Sequence, residues 1–210
     1  SDELTVNLTN TTTVGNSDKL LTNGDIGIGT YTQSTSTQSA LTHTYGGGAL
    51  GDASASTTVN SNQSVGIGTN AMLLGFGQIN ITAGMDPSGF IPSLFSADSI
   101  GQSYVIGLIA IATGSANTNV HSNATTTIGA GANVLGGADI SLGSYRGTNS
   151  VSAEGTGHGY ELGFIPITSD DSNARADGSE ALALAGSVTA GIYADSNIAI
   201  DANGQVTHST

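Results

Sequence analysis

The densest group of acidic residues lies late in the chain and is the first candidate for chemistry. It comprises Asp170, Asp171, Asp177 and Glu180. Carboxylate oxygens are preferred ligands of calcium, but the segment has neither the spacing of an EF-hand loop nor the Gly and Asp pattern of calcium-binding nonapeptide repeats. A solvated acidic loop is the alternative. We predict no required cofactor, and name Asp170, Asp171 and Asp177 as the ligands if calcium binds.

The histidines do not form a compact metal site. None of them has another histidine two or four residues away, which is the spacing of such sites. We therefore expect them to be exposed or to lie in turns. They are His43, His121, His158 and His208.

Enzyme activity is not predicted. A polysaccharide lyase needs a positive group to stabilise its transition state, and the chain offers only Lys19, Arg146 and Arg175. A glycosidase needs two carboxylates across a groove, and the repeat pattern designates no such pair. No catalytic or cofactor-binding residue is assigned.

Aromatic side chains offer a different chemistry, since tyrosines exposed in a row stack on sugar rings. Surface glycans are therefore candidate partners. The tyrosines are Tyr31, Tyr45, Tyr104, Tyr145, Tyr160 and Tyr193.

The elements that position these side chains are indicated by a recurring set of aliphatic residues. Its first member recurs from position 14 to 67 and from 67 to 128, and its third from 140 to 198, so the chain consists of internal repeats. The copies are Val14, Leu20, Ile26 and Ile28; Ile67, Leu73, Ile79 and Ile81; Ile128, Val134, Ile140 and Leu142; and Ile192, Ile198 and Ile200.

Each copy has the form of short strands separated by turns. The last two aliphatic residues of a copy alternate with a small polar residue, which places both on one face of a strand. Turn-forming glycines precede these pairs, as in Asn23-Gly24 and Gly136-Gly137. Such a rhythm is typical of a β-solenoid. A coil of about 20 residues would give about three coils in each repeat and about ten in the chain.

The segments between copies also correspond. The residues Val59 to Asn62 align with Val120 to Asn123 at the offset that separates Ile67 from Ile128. The apolar run Tyr104 to Ala112 is too short to span a membrane and is predicted to be a buried strand. Met85 to Ser103 and Thr148 to His158, rich in small residues, are predicted to be loops.

Composition and charge exclude several classes of partner. The net charge of −13 opposes binding to nucleic acid and to anionic membranes, and no segment is predicted to insert into a bilayer. With no cysteine, disulfides and thiolate metal sites are impossible. Since the chain begins at Ser1 and its repeats begin at once, we expect it to be a fragment of a longer repetitive protein.

Three stretches resemble one family of bacterial proteins. The Ile-Gly-Ala-Gly-Ala-Asn-Val-Leu segment at 128 to 135, Gly-Ala-Asp-Ile-Ser-Leu at 137 to 142 and Ser-Asn-Ile-Ala-Ile-Asp-Ala at 196 to 202 are similar to the repeats of filamentous-haemagglutinin-like exoproteins, very large bacterial surface adhesins. The resemblance implies a right-handed parallel β-helix, export across a Gram-negative outer membrane and a role in adhesion.

The prediction is an all-β chain that forms one right-handed parallel β-helix, or β-solenoid, over the range 1–210. Its repeat unit would have roughly 55–60 residues and would span several coils. Its predicted role is a non-catalytic structural stalk or adhesin segment of a secreted, extracellular bacterial protein at the cell surface. Its partners would be neighbouring repeats or like chains, and surface glycans. Two alternatives are a β-sandwich fibre subunit that polymerises by donor-strand exchange, and a polysaccharide-degrading β-helix enzyme.

Overall fold

The structure, a computed structural model, describes residues 1–161, 166–191, 198–202 and 205–209. These residues form strands joined by turns, with no helix among them, as expected for an all-β chain rich in β-branched residues. No helix that could cross a lipid bilayer is therefore found within these ranges. The strands are β1 (Asp2–Val14), β2 (Lys19–Thr22), β3 (Ile26–Thr30), β4 (Gln33–Ile67), β5 (Met72–Gly75), β6 (Ile79–Ala83), β7 (Leu94–Ile128), β8 (Asn133–Gly136), β9 (Ile140–Ser144), β10 (Thr148–Glu161), β11 (Ile167–Leu184), β12 (Ser187–Thr189), β13 (Ile198–Ala202) and β14 (Gln205–Ser209).

The strands assemble into three sheets. The long sheet has the order β1, β4, β7, β10, and β11 also pairs with β7. The second sheet has the order β2, β5, β8, β12, and the third has β3, β6, β9, β13, β14. Strand pairs are parallel among the described strands, apart from the antiparallel pair β13 and β14. This order differs from the antiparallel strands that the β-sandwich alternative requires.

The pairing register follows the predicted repeat. In the third sheet Ile26 pairs with Ile79, Ile79 with Ile140 and Ile140 with Ile198. In the second sheet Lys19 pairs with Met72 and Met72 with Asn133, so the residue offsets between the first three strands are the same as in the third sheet. Equivalent aliphatic residues of successive repeats therefore lie next to one another, as the sequence predicts.

The prediction that each repeat contains several coils is wrong. Each repeat contributes one level of strands to the three sheets, which we call a tier, so a repeat does not contain several coils. Apart from β14, which pairs antiparallel with β13, the described strands form four tiers, which at about 4.8 Å between strands give a stack on the order of 15–20 Å high. The residues assigned to further coils lie in the 35-residue strands β4 and β7.

The three sheets line one aliphatic core. It contains Ile67 and Ile128 from the long sheet, Leu73 from the second and Ile79 and Ile140 from the third, all at most 2% exposed. Leu20 departs from the predicted inward position, since it is 40% exposed. It lies in the first tier, where only one neighbouring tier covers it.

The long sheet folds back on itself to form what we call the arch. Gly107 is buried, Leu108 and Ile109 are exposed and Ala110 is buried again, so the inward alternation changes phase at this point. The residues before and after the change face each other. A hydrogen bond from the Ser99 hydroxyl to the Asn117 carbonyl, 3.0 Å long, joins the two stretches. The arch therefore consists of a first half, at residues 33–45, 94–107 and 148–161, and a second half, at 49–67, 110–128 and 167–184.

The interior of the arch is lined mainly by small residues, together with the larger Val59, Phe95, Val105 and Val120. Its buried positions include Ala53, Ala97, Ala112 and Thr118. The Thr118 hydroxyl donates to the backbone carbonyl of Ser152 on the opposite half at 2.6 Å. Small side chains allow the two halves to approach closely, and hydroxyl-to-carbonyl hydrogen bonds of this kind join them.

Two predicted loops are largely strands. Of Met85–Ser103, residues 85–93 lie outside the strands and the rest belongs to β7, while all of Thr148–His158 belongs to β10. These segments are rich in small residues because the interior of the arch is narrow. A β-carbon built at Gly155 would lie 2.2 Å from the carbonyl oxygen of Asp171. The run Tyr104–Ala112 is a strand, as predicted, but it crosses the turn of the arch and exposes several apolar side chains.

The turn between the long sheet and the second sheet repeats with a left-handed residue. Ser17, Asn70 and Gly131 occupy equivalent positions, with φ values of 61°, 58° and 70°. Non-glycine residues adopt this region at a cost, so its recurrence in the first three tiers indicates that the corner requires this change of direction.

Candidate binding surface

The outer face of the second half of the arch carries ladders of polar side chains. Residues that pair across tiers also stack their side chains, and amides join one tier to the next. The Asn60 amide donates to Asn7 at 2.9 Å, the Asn123 amide to Asn62 at 3.0 Å and the Asn173 amide to Asn117 at 2.9 Å. The predicted alignment of Val59–Asn62 with Val120–Asn123 is confirmed by the register.

One ladder is charged. His121 lies beside Asn60 in the register and beside Asp177 on the other side. Its Nδ1 contacts Oδ1 of Asp177, whose Oδ2 lies 2.6 Å from Nη2 of Arg175. The hydrogen bond from His121, followed by the positive charge of Arg175, holds the pKa of Asp177 below its ordinary value.

A shallow groove of about 340 Å³ runs along this ladder. A neighbouring groove of about 460 Å³ continues over Ser115 and Asn117. Hydroxyls, amides, an imidazole and a guanidinium are groups that hydrogen-bond to sugar hydroxyls. The first groove is lined by Thr58, Asn60, Asn119, Val120, His121, Arg175 and Asp177.

Replacing Asp177 with asparagine is expected to reduce stability at neutral pH, because the variant loses the pairing with His121 and Arg175. Since the folded pKa of Asp177 is below the unfolded value near 3.8, the carboxylate stabilises the fold above that pH and loses this effect as the pH falls through the folded pKa. The difference between wild type and Asp177→Asn should therefore shrink as the pH is lowered below about 4. Urea denaturation at a series of pH values measures it.

Asp171→Asn is the matched control for this experiment. Asp171 lies in the same strand and is exposed. A difference between wild type and Asp177→Asn that stays constant from pH 7 to acidic pH, or an equal pH-dependent loss in Asp171→Asn, would contradict the pairing.

The three predicted calcium ligands do not converge. Asp170 and Asp171 are adjacent in an extended strand, so they point to opposite faces. Asp177 lies six residues beyond Asp171, about 20 Å along the strand, and it is paired with Arg175. Among the described residues no group of three or more histidine, aspartate or glutamate side chains is placed to hold a metal ion.

Two histidines lie on either side of a tyrosine in the first half of the arch. The ring centroids of His43 and Tyr104 are 5.0 Å apart, and those of Tyr104 and His158 are 4.7 Å apart, with the rings within 15° of parallel. Both faces of Tyr104 are therefore covered, and it offers no face to a sugar ring. Two residues further along the strands, Tyr45 and Tyr160 flank Ile106 and are exposed, so the tyrosines do not form a continuous row at this place.

The remaining predicted residues lie apart. Tyr193 lies outside the described residues, as does the side chain of His208. Lys19 is exposed in the second sheet, whereas Nε of Arg146 lies 3.6 Å from Oε1 of Glu180 at the long sheet. The basic side chains thus do not share one groove.

Sequence reasoning missed the charged ladder. Its signal was the spacing of Arg175 and Asp177, because residues two apart in a strand point to the same face. The offset between Tyr104 and Tyr160 is also the offset between His121 and Asp177, and the register places the latter two side by side.

The chain was also compared with known proteins. No family model, curated protein or solved structure matches it. The resemblance to filamentous-haemagglutinin-like exoproteins therefore stays a prediction.

Proposed function

We propose that this chain is a non-catalytic structural segment of a bacterial surface adhesin, in which each tier is one winding of a right-handed β-solenoid. The observation that carries the proposal is the in-register stacking of four tiers in three sheets, whose strand pairs are parallel apart from β13 and β14. Every tier passes through the long, second and third sheets in the same order before the next tier begins. Parallel strands joined by crossovers are almost always right-handed, which supports the hand.

Rigidity is the expected product of this arrangement. Each tier hydrogen-bonds to the next through its backbone, and the aliphatic core runs through the middle tiers without a polar break. Outward amides and hydroxyls repeat the same bonds on the surface. A stack of this kind transmits force along its axis and resists bending, as a stalk requires.

Pulling the purified chain from its two ends tests the solenoid. A solenoid held by nearest-neighbour contacts should unravel one tier at a time, with each step releasing one repeat of roughly 55–60 residues. This corresponds to about 200 Å of extended chain per step. Single-molecule force spectroscopy measures these steps, and a single rupture that releases the whole chain would contradict the proposal.

The adhesive role is assigned to the polar grooves over the second half of the arch. Their amides and hydroxyls favour neutral glycans, since the ladder already pairs its acidic and basic side chains internally. The intact chain should be retained on immobilised neutral polysaccharide, and Asn119→Ala, in the groove, should weaken retention several-fold while Asn16→Ala, outside it, should not. Equal retention of both variants would contradict this assignment.

A further inference from the structure

An uncharged apolar patch covers the turn of the arch. Its members are large hydrophobic side chains that are between 38% and 69% exposed. We call this patch the apolar tip. It comprises Tyr45, Leu50, Ile106, Leu108, Ile109, Tyr160 and Ile167.

The fold places these side chains together. Tyr45, Ile106 and Tyr160 pair across three tiers on one side of the turn. Leu50 and Ile167 both pair with Ile111 on the other side. Leu108 and Ile109 lie between the two sides, where the inward alternation changes phase and both side chains face outward. The tip is thus one continuous surface.

The area of the tip is large for a monomer. With about 200 Å² for the full accessible area of a large side chain, the exposed fractions correspond to roughly 800 Å². The largest apolar patch of a typical monomer is about 300–600 Å². The tip therefore matches the roughly 800 Å² that each partner contributes to a standard protein interface.

The charge distribution favours a second copy of this chain as the occupant. Residues 39–51 and 99–112, which supply five of the seven tip residues, contain no Asp, Glu, Lys or Arg, although Glu161 follows Tyr160 and the whole chain has a net charge of −13. The central part of two tips can therefore meet without bringing like charges into direct contact. A strongly charged partner would find no complementary group there, and an anionic lipid surface would be repelled by the rest of the chain.

We propose that two copies of this chain associate through their apolar tips about a two-fold axis. Each tip then contacts the same surface of its partner, as in most homodimers. The inference needs the arch and its exposed tip, but it does not need the adhesive role. Paired stalks joined side by side would leave the polar grooves of both copies open.

The test uses a double variant of the tip, Leu108→Ser with Ile109→Ser, and measures mass by sedimentation equilibrium over a range of concentrations. Because both side chains are more than half exposed, the substitutions should leave the fold intact, which circular dichroism and thermal unfolding check. The wild type should form dimers. The dissociation constant of the dimer should be more than about tenfold higher for the double variant, because each dimer loses four apolar side chains from its interface.

Phe90→Ser is the matched control, because Phe90 is 82% exposed in the segment between β6 and β7, outside the tip. This variant should dimerise like the wild type. A wild type that stays monomeric at all concentrations would overturn the proposal, as would dimers that only Phe90→Ser weakens. Monomeric wild type that floats with phosphatidylcholine vesicles would instead assign the tip to lipid. None of these outcomes affects the pulling experiment.

Discussion

Replacement of Ile79 with alanine is expected to lower the free energy of unfolding by about 3 kcal/mol. Ile79 is fully buried and lies between Ile26 and Ile140 in the third sheet. With a tier on each side, the surrounding side chains have little freedom to collapse into the space that the substitution leaves. The loss therefore includes both the transfer of the side chain and the cavity. Urea denaturation followed by circular dichroism measures it.

Leu21→Ala is the control for this prediction. Leu21 lies in β2 next to the signature residue Leu20 and is 58% exposed, so its truncation should change stability by less than about 0.5 kcal/mol. If Ile79→Ala and Leu21→Ala had similar effects, the aliphatic signature would not form the core.

The stacking of the aliphatic signature could be predicted because it depends on a local rule. Residues two apart in a strand share a face, and a fixed repeat offset brings equivalent strands together. Ile26, Ile79, Ile140 and Ile198 therefore pair in the third sheet as the spacing indicates. Leu20, in the outermost tier, is 40% exposed, whereas Ile26 and Ile28 of the same tier are buried, so a repeat pattern alone does not say which residues are covered.

The arch could not be predicted by the same rule. A search for apolar alternation detects cores made of Ile, Leu and Val, but the arch buries mainly Ala, Ser, Gly and Thr, with a few larger side chains such as Phe95 and Val105. Stretches such as 94–103 and 148–158 therefore look like loops, although they are strands in a narrow interior. For the same reason a long repeat suggests several short coils, when most of its length lies in one long strand that folds back.

The candidate surface was predicted in part. The alignment of Asn60 with His121 followed from the repeat, because identical neighbours on both sides fix the offset. Asp177 was instead grouped with Asp170 and Asp171, because they are close in sequence and have the same charge. In an extended strand, residues that are close in sequence do not bring their side chains together. The side chain of Asp177 instead contacts His121, which is distant in sequence.

The narrowness of the arch leads to the second large effect: Gly101→Val is expected to destabilise the fold by about 3 kcal/mol or more. A β-carbon built at Gly101 would lie 2.0 Å from the carbonyl oxygen of Ser115 and 3.1 Å from that of Ala53. Both atoms belong to the backbone of the facing half, so no side chain can rotate away. The halves must separate, and the bonds that join them, such as Ser99 to Asn117, must lengthen.

Gly47→Val provides the matched control, because a β-carbon at Gly47 would meet no atom within 4 Å. Valine favours strands, so propensity alone predicts that both variants are tolerated. A loss of stability in Gly101→Val together with a small change in Gly47→Val, measured by thermal unfolding, would show that contact between the halves outweighs propensity. Equal stability of the two variants would mean that the halves are further apart than the arch requires. The small residues of β7 would then reflect composition, and not a closely packed interior.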